Sequence, residues 1–303
     1  MASPVTTRNA AFLVLTGLAI YLHQDDDKSR WQALYVFLGN PLVLFEGAAN
    51  GHNDAIVAAL LCLALLSHKR KSWLDLPLVT LSALVKPFSA ALVPLFFISS
   101  LARGRKPREL VPGVFVSLLV VTAWFAPFWA NGKALGGMMR GMRLYSRMNS
   151  VSIFALVRHW FRTTGMSEQS QYCLHYAFFA MFIVALISLS SKLSQDRDLE
   201  RMVVDVFLLF LLLVSTLYAW YLLPVFAVIA LTRRPGEMVF LLSVTLLSLC
   251  SYVVSVWFWF GTPWPAPIVR QLALALFLTV PIVVFLSPRL VSYYRARQQG
   301  HGH

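Results

Sequence analysis

Apolar residues in this chain gather in long unbroken runs instead of recurring at the spacing of a helix with one wet face. Residues 110–130, 173–191, 236–260 and 271–287 carry almost no charge, and in hydrocarbon only a helix satisfies every backbone group within its own segment, so each run reads as a spanning helix. A shorter run, residues 10–22, precedes them; it has the length of a signal-peptide core, but one Arg8 before it and no small-x-small site before Asp25 make it an uncleaved helix. Two intervals are too short to cross and return. Residues 73–102, interrupted by Lys86-Pro87, and residues 202–232, interrupted by Tyr218-Ala-Trp-Tyr221, leave only about 14 residues per arm where a full span needs ~20. Each is expected to be a hairpin of short helices that reaches partway through the membrane or spans a thinned region. The backbone groups freed at such breaks must be buried in protein or face water, which implies a cavity near the external leaflet.

The basic residues set the direction of the runs. Lys28/Arg30, Lys69/Arg70/Lys71, Arg103/Arg105/Lys106/Arg108, Lys192/Arg197/Arg201, Arg233/Arg234 and Arg289/Arg295/Arg297 form short clusters between them, as expected of loops kept in the cytoplasm. A segment that starts and ends on one side crosses an even number of times. Residues 31–68 are therefore expected to form two crossings around an external turn at 46–54, residues 110–191 two more around an external segment at about 131–172 with interfacial helices, and residues 236–288 another pair around the Pro-rich turn from Gly261 to Pro267. The resulting fold class is all-α: a polytopic integral membrane protein of roughly 9–11 transmembrane or half-membrane helices, one transmembrane domain over residues 1–290 and a basic cytoplasmic tail at 291–303. By the same parity, a single crossing at residues 10–24 puts Met1 outside with no helix before it, so the chain is expected to lack an N-terminal piece.

Composition agrees with this picture. The chain is 58% hydrophobic and 13% charged with a mean hydropathy of +0.67, more apolar than a soluble core can absorb. A net charge of +13 would point to nucleic acid in a soluble chain, but cytoplasmic loops account for it here and no nucleic-acid partner is expected. Cys62, Cys173 and Cys250 lie in or beside apolar runs without CxxC spacing and read as neither disulfide nor metal ligands.

Candidate chemistry collects in one short stretch, Asn40-Pro-Leu-Val-Leu-Phe-Glu46 followed by Gly51-His52-Asn53-Asp54. Two carboxylates, an imidazole and an amide between apolar helices are costly to bury without a purpose. Capping of the helix over residues 55–67 offers a structural account of Asp54 or Asn53, but it does not reach Glu46. Lys86, a lone ammonium in an apolar interval, must pair, snorkel or face water; it is either part of a short cytoplasmic-facing loop or a cation offered to an anionic head group. The segment with Lys133, Arg140, Arg143, Arg147, Arg158 and Arg162 against a single acid, Glu168, defies the positive-inside rule, so either this loop is cytoplasmic and the parity fails or those cations have a local use. Its interleaved Met138, Met139, Met142, Leu144 and Tyr145 give it the character of an interfacial amphipathic segment, suited to a lipid-phosphate head group or to anionic lipid in general. Tyr218, Trp220 and Tyr221 are either ordinary interfacial aromatics or a stacking wall for a sugar or lipid chain.

These pieces, with Leu84-Val-Lys-Pro87 in a broken hairpin and Trp220-Tyr221-x-x-Pro224 in another, resemble the GT-C superfamily, and most of all its actinobacterial polyprenyl-phosphate-sugar-dependent mannosyltransferases, over residues 31–290. The resemblance implies a bacterial plasma-membrane enzyme, C-terminus cytoplasmic, that moves a hexosyl or mannosyl group from a lipid-phosphate donor to a glycan or glycolipid acceptor on the external face. Glu46 and Asp54 would then be the catalytic acids, and His52, Asn53, Lys86, Arg140, Arg143, Tyr218, Trp220 and Tyr221 the substrate contacts. No metal-ligand set is complete, although His52 with Asp54 could contribute to one. The chain departs from the family in lacking the first external loop that carries the catalytic base there. The run Asp25-Asp26-Asp27 falls at the cytoplasmic end and does not take that role, so the isolated chain is expected to be weakly active or inactive. A lipid or small-molecule transporter, or a non-catalytic membrane subunit, would share the broken helices and buried charges; transporters, however, usually show inverted repeats, and none is visible.

Overall fold

The computed structural model describes residues 4–133, 136–138, 140–141, 152–165, 167–190, 198–214, 217–259, 276–277 and 279–288, and every regular element among them is helical. In order these are α1 (Pro4–His23), α2 (Asp27–Leu38), α3 (Pro41–Val43, widening into a π turn at Leu44–Ala49), α4 (Asp54–Lys69), α5 (Asp75–Val85), α6 (Leu92–Ala102), α7 (Pro107–Phe125), α8 (Ile153–Thr163), α9 (Glu168–Ser190), α10 (Leu199–Leu213), α11 (Leu223–Thr232), α12 (Pro235–Trp259) and α13 (Thr279–Pro288).

The centre is built from helices apolar all round, which can be stable only when enclosed. From Leu223 to Leu231 every residue of α11 is buried, as are Ala55, Val57, Ala58, Leu61, Cys62 and Leu65 of α4. Around α4 pack α1, α5 and α11. The longer helices lie outside and turn apolar side chains outward: Val111, Phe115, Leu118 and Trp124 on α7, Phe179, Val184 and Ile187 on α9, Val239, Leu242 and Leu246 on α12. In water such a belt would be an aggregation surface; around helices long and apolar enough to cross a bilayer, Pro107–Phe128 and Pro235–Val253, it is a lipid-facing one. The chain is an all-α membrane protein.

Both short intervals are hairpins of short helices. The first pairs the 11 residues of α5 with the 16 of Pro87–Ala102; Lys86 leaves the helix in an extended conformation (φ −141°, ψ 116°) and Pro87 opens a 3-10 turn. At 1.5 Å per residue those arms reach about 16 and 24 Å, less than the ~30 Å hydrocarbon core. The second pairs α10 with the 14 residues Ala219–Thr232. The stretch 31–45 departs from the expected single crossing. α2 stops at Leu38, Asn40 caps α3 through hydrogen bonds from Leu42 N (2.9 Å) and Val43 N (3.3 Å), and the following segment meets α4 at 115°. The segment expected to be interfacial contains α8 among its described residues; the turn at Gly261–Pro267 and the tail at 291–303 lie outside the described residues.

Helix ends fall on two faces. On one, Lys69 donates to His23 O (2.7 Å) and to Asp25 (2.8 Å), Gln24 to Leu231 O (3.1 Å), and Arg233 to Ser29 O and to Gln24 Oε1 (2.9 Å), while Arg234 pairs with Asp198. The described basic clusters at Lys28/Arg30, Lys69–Lys71, Arg103–Arg108, Arg201 and Arg233/Arg234 all belong to helix ends of this face. The opposite face holds the turn at 50–53, the break at Lys86 and the turn at Tyr218–Leu222.

Candidate active site

The turn between α3 and α4 is held by its own backbone. Asn50 N donates to Phe45 O (2.8 Å) and His52 N to Glu46 O (3.1 Å), and Gly51 takes a positive φ of 70° that a side chain would resist. Gly47 allows the turn to press on α1: a Cβ there would stand 2.9 Å from the Leu13 side chain. Asn53 sits at the N-cap of α4 and makes no capping hydrogen bond with its side chain, so capping is not what places it there.

Each of the two carboxylates lies behind a basic group. The Asp54 side chain has no exposed surface, and its Oδ2 receives a 2.7 Å hydrogen bond from Lys86 Nζ, which is 16% exposed. Asp54 Oδ1 is buried with no hydrogen-bond partner among the described residues. The Glu46 side chain is likewise unexposed; Asn50 Nδ2 (3.0 Å) donates to its Oε2, the Tyr252 hydroxyl donates to its Oε1, and His52 Nε2, on a side chain 29% exposed, lies 3.3 Å from Oε2. Lys86 and His52 thus form the partly exposed side of the cluster, its opening, with both acids buried beneath them.

An aromatic row backs both pairs. His52 stacks on Trp220 (centroids 4.0 Å apart, planes at 11°), Tyr218 stacks on the other face of Trp220 (4.2 Å, 11°), and Lys86 Nζ lies 4.6 Å from the centre of the Tyr221 ring. A buried cation over a ring gains electrostatic attraction on top of its ion pair. His52 and Tyr218 thus cover the two faces of Trp220. Asn40 anchors the row's foundation, donating to Thr245 Oγ1 on α12 (2.8 Å).

Of the residues singled out by sequence, Glu46, His52, Asp54, Lys86, Tyr218, Trp220 and Tyr221 meet here, with Asn53 exposed at the rim. Arg140 is exposed and reaches none of these groups, and Arg143 lies outside the described residues. Tyr252 and Asn50 escaped sequence reading. Asn50 had a signal, its i+4 spacing from Glu46; Tyr252, an aromatic in an apolar span 206 residues away, had none. No group of three His, Cys, Asp or Glu among the described residues could hold a metal ion.

No curated protein and no solved structure gives a significant match to the chain. Residues 7–103 of the 303, which include Glu46, His52, Asp54 and Lys86, match the sequence model of the MptA_B family, described as the alpha-(1->6)-mannopyranosyltransferase N-terminal domain, so over this part the chain is similar to mannosyltransferases.

Proposed function

We propose that the chain is a GT-C-type membrane mannosyltransferase that takes mannose from a polyprenyl-phosphate donor, on the external face, and transfers it to a glycan or glycolipid acceptor. The observation that carries the reading is the pair of buried carboxylates, each holding a basic group toward the opening at a broken helix. A plain structural ion pair would not need two such arrangements side by side, and buried charge in a membrane domain is retained at a cost. The family match over residues 7–103 supports the sugar, and the gathering of basic loops on the opposite face supports an external site.

In the reaction the acceptor oxygen attacks the anomeric carbon and the bond from that carbon to the lipid phosphate breaks. Lys86, fixed by Asp54 and the Tyr221 ring, faces the charge that develops on the departing phosphate. Asn53 at the rim and Tyr218 at the end of the aromatic row are the sugar contacts. Arg140 and Arg143 are assigned to the lipid-phosphate side of the membrane surface. Purified protein in sealed vesicles tests this: labelled mannose should pass from a polyprenyl phosphomannose to a membrane-impermeant mannoside in right-side-out vesicles and not in inside-out ones. Transfer from a nucleotide sugar instead, or equal transfer in both orientations, would overturn the donor or the face.

A further inference from the structure

We infer that His52 is the group that takes the proton from the attacking hydroxyl, with Glu46 as its positioning residue. The inference rests on the reaction proposed above and assigns the proton carrier within it.

Neither carboxylate is placed to touch a hydroxyl. Both are unexposed, Glu46 has Tyr252 on one oxygen and Asn50 on the other, and Asp54 lies beneath Lys86. His52 is the member of the cluster that both reaches the opening and carries a nitrogen lone pair. With Nε2 only 3.3 Å from Glu46 Oε2, the ring hydrogen belongs on Nε2 and the lone pair on Nδ1. Among the described residues Nδ1 has no hydrogen-bond partner. The ring cannot turn freely to carry Nε2 away from Glu46, because one face is stacked on Trp220, itself held by Tyr218, and the backbone N–H of His52 is bonded to Glu46 O.

The step balances without a further reactant. The acceptor O–H gives its proton to Nδ1 as its oxygen bonds the anomeric carbon; the carbon–phosphate oxygen bond breaks and its electron pair leaves with the phosphate. The imidazolium, stabilised by Glu46, then returns the proton to the departing phosphate or to water. Asp54 is the rival for this role, since its Oδ1 has no hydrogen-bond partner among the described residues, and the test separates the two.

His52→Phe keeps a ring on Trp220 and removes both nitrogens; it should lower kcat by about 100-fold or more with KM little changed, and remove the acid limb of the log kcat–pH profile. Glu46→Gln should lower kcat by at least about tenfold and shift that limb, whereas a merely structural role would leave the profile where it is. A His52→Phe enzyme within about threefold of the wild type, or one that keeps the acid limb, would overturn the inference and pass the role to Asp54. Nitrogen-15 spectra of histidine-labelled protein give a readout independent of turnover: His52 should be Nε2–H in the wild type and shift toward Nδ1–H in Glu46→Gln. A wild-type His52 in the Nδ1–H form overturns the inference even if neither variant folds. A wild-type protein that transfers no mannose overturns the underlying reaction instead, and the spectra still report whether Glu46 holds the ring.

Discussion

A carboxylate buried beside an arginine shows at the scale of single residues what holds the other face together. Asp75 Oδ2 accepts from Arg105 Nη1 (2.7 Å), lies 2.9 Å from His68 Nδ1 and accepts from Ser100 Oγ (3.3 Å), while His68 Nε2 is 3.0 Å from Ser99 Oγ. All five residues are buried, so α4, α5, α6 and the turn after α6 are joined by one polar knot. Ser99, His68 and Asp75 have the order of a nucleophilic relay, but Ser99 is 3% exposed and Asp75 is committed to Arg105, which makes the knot structural. Asp75→Ala would leave the Arg105 guanidinium buried without its counter-charge and should cost about 3–5 kcal/mol, read as a drop in the unfolding midpoint in micelles, with no change in the turnover of the protein that remains folded. Sequence reading passed over this knot. His68 and Asp75 each look ordinary at the end of an apolar helix, and the partners 7 and 30 residues from Asp75 meet only once the helices pack. The same holds for Asp54 and Lys86, 32 residues apart: each was anomalous alone, and nothing in their spacing said that each answers the other.

Among the elements, length was the legible quantity. The arms on either side of Lys86 and of Tyr218 were too short for a bilayer in the sequence and remain so in the fold, because residue count fixes helix reach directly. The break at Gly39–Asn40 was hidden, since Leu38, Leu42, Val43, Leu44 and Phe45 continue the apolar run across it. Asn40 followed by Pro41, a cap before a proline at the first helical position, was the available sign of a new helix. Close helix contact is set by small residues of the kind sequence alone does not locate. Gly113 brings α7 onto the turn before α5, where an added Cβ would stand 2.6 Å from Trp73 O. That neighbour is backbone and cannot swing away, so Gly113→Ala should push α7 outward and destabilise by about 1–3 kcal/mol, measurable by thermal unfolding of the purified protein.

At the scale of the whole molecule, the chain places a belt of outward apolar side chains around an enclosed α4–α11 centre, its described basic loops on one face and its polar cluster on the other. Composition foretold the belt, and loop charge the gathering of the described basic clusters of the short loops on one face. They did not foretell that the acids would sit beneath the basic groups rather than at the opening, because that order depends on the 115° bend between α3 and α4 and on α5 ending where it does. In the proposed reaction the Asp54–Lys86 pair works on the departing phosphate as one unit. Its most direct test is mannosyl transfer from a polyprenyl phosphomannose by the wild type, Asp54→Asn, Lys86→Met and the double variant, which removes the pair without leaving a buried charge unmatched. Transfer by the 303-residue wild type is expected, with a loss of about 100-fold in each single variant and no greater loss in the double. Single variants that keep wild-type transfer, or losses that multiply in the double variant, would contradict it.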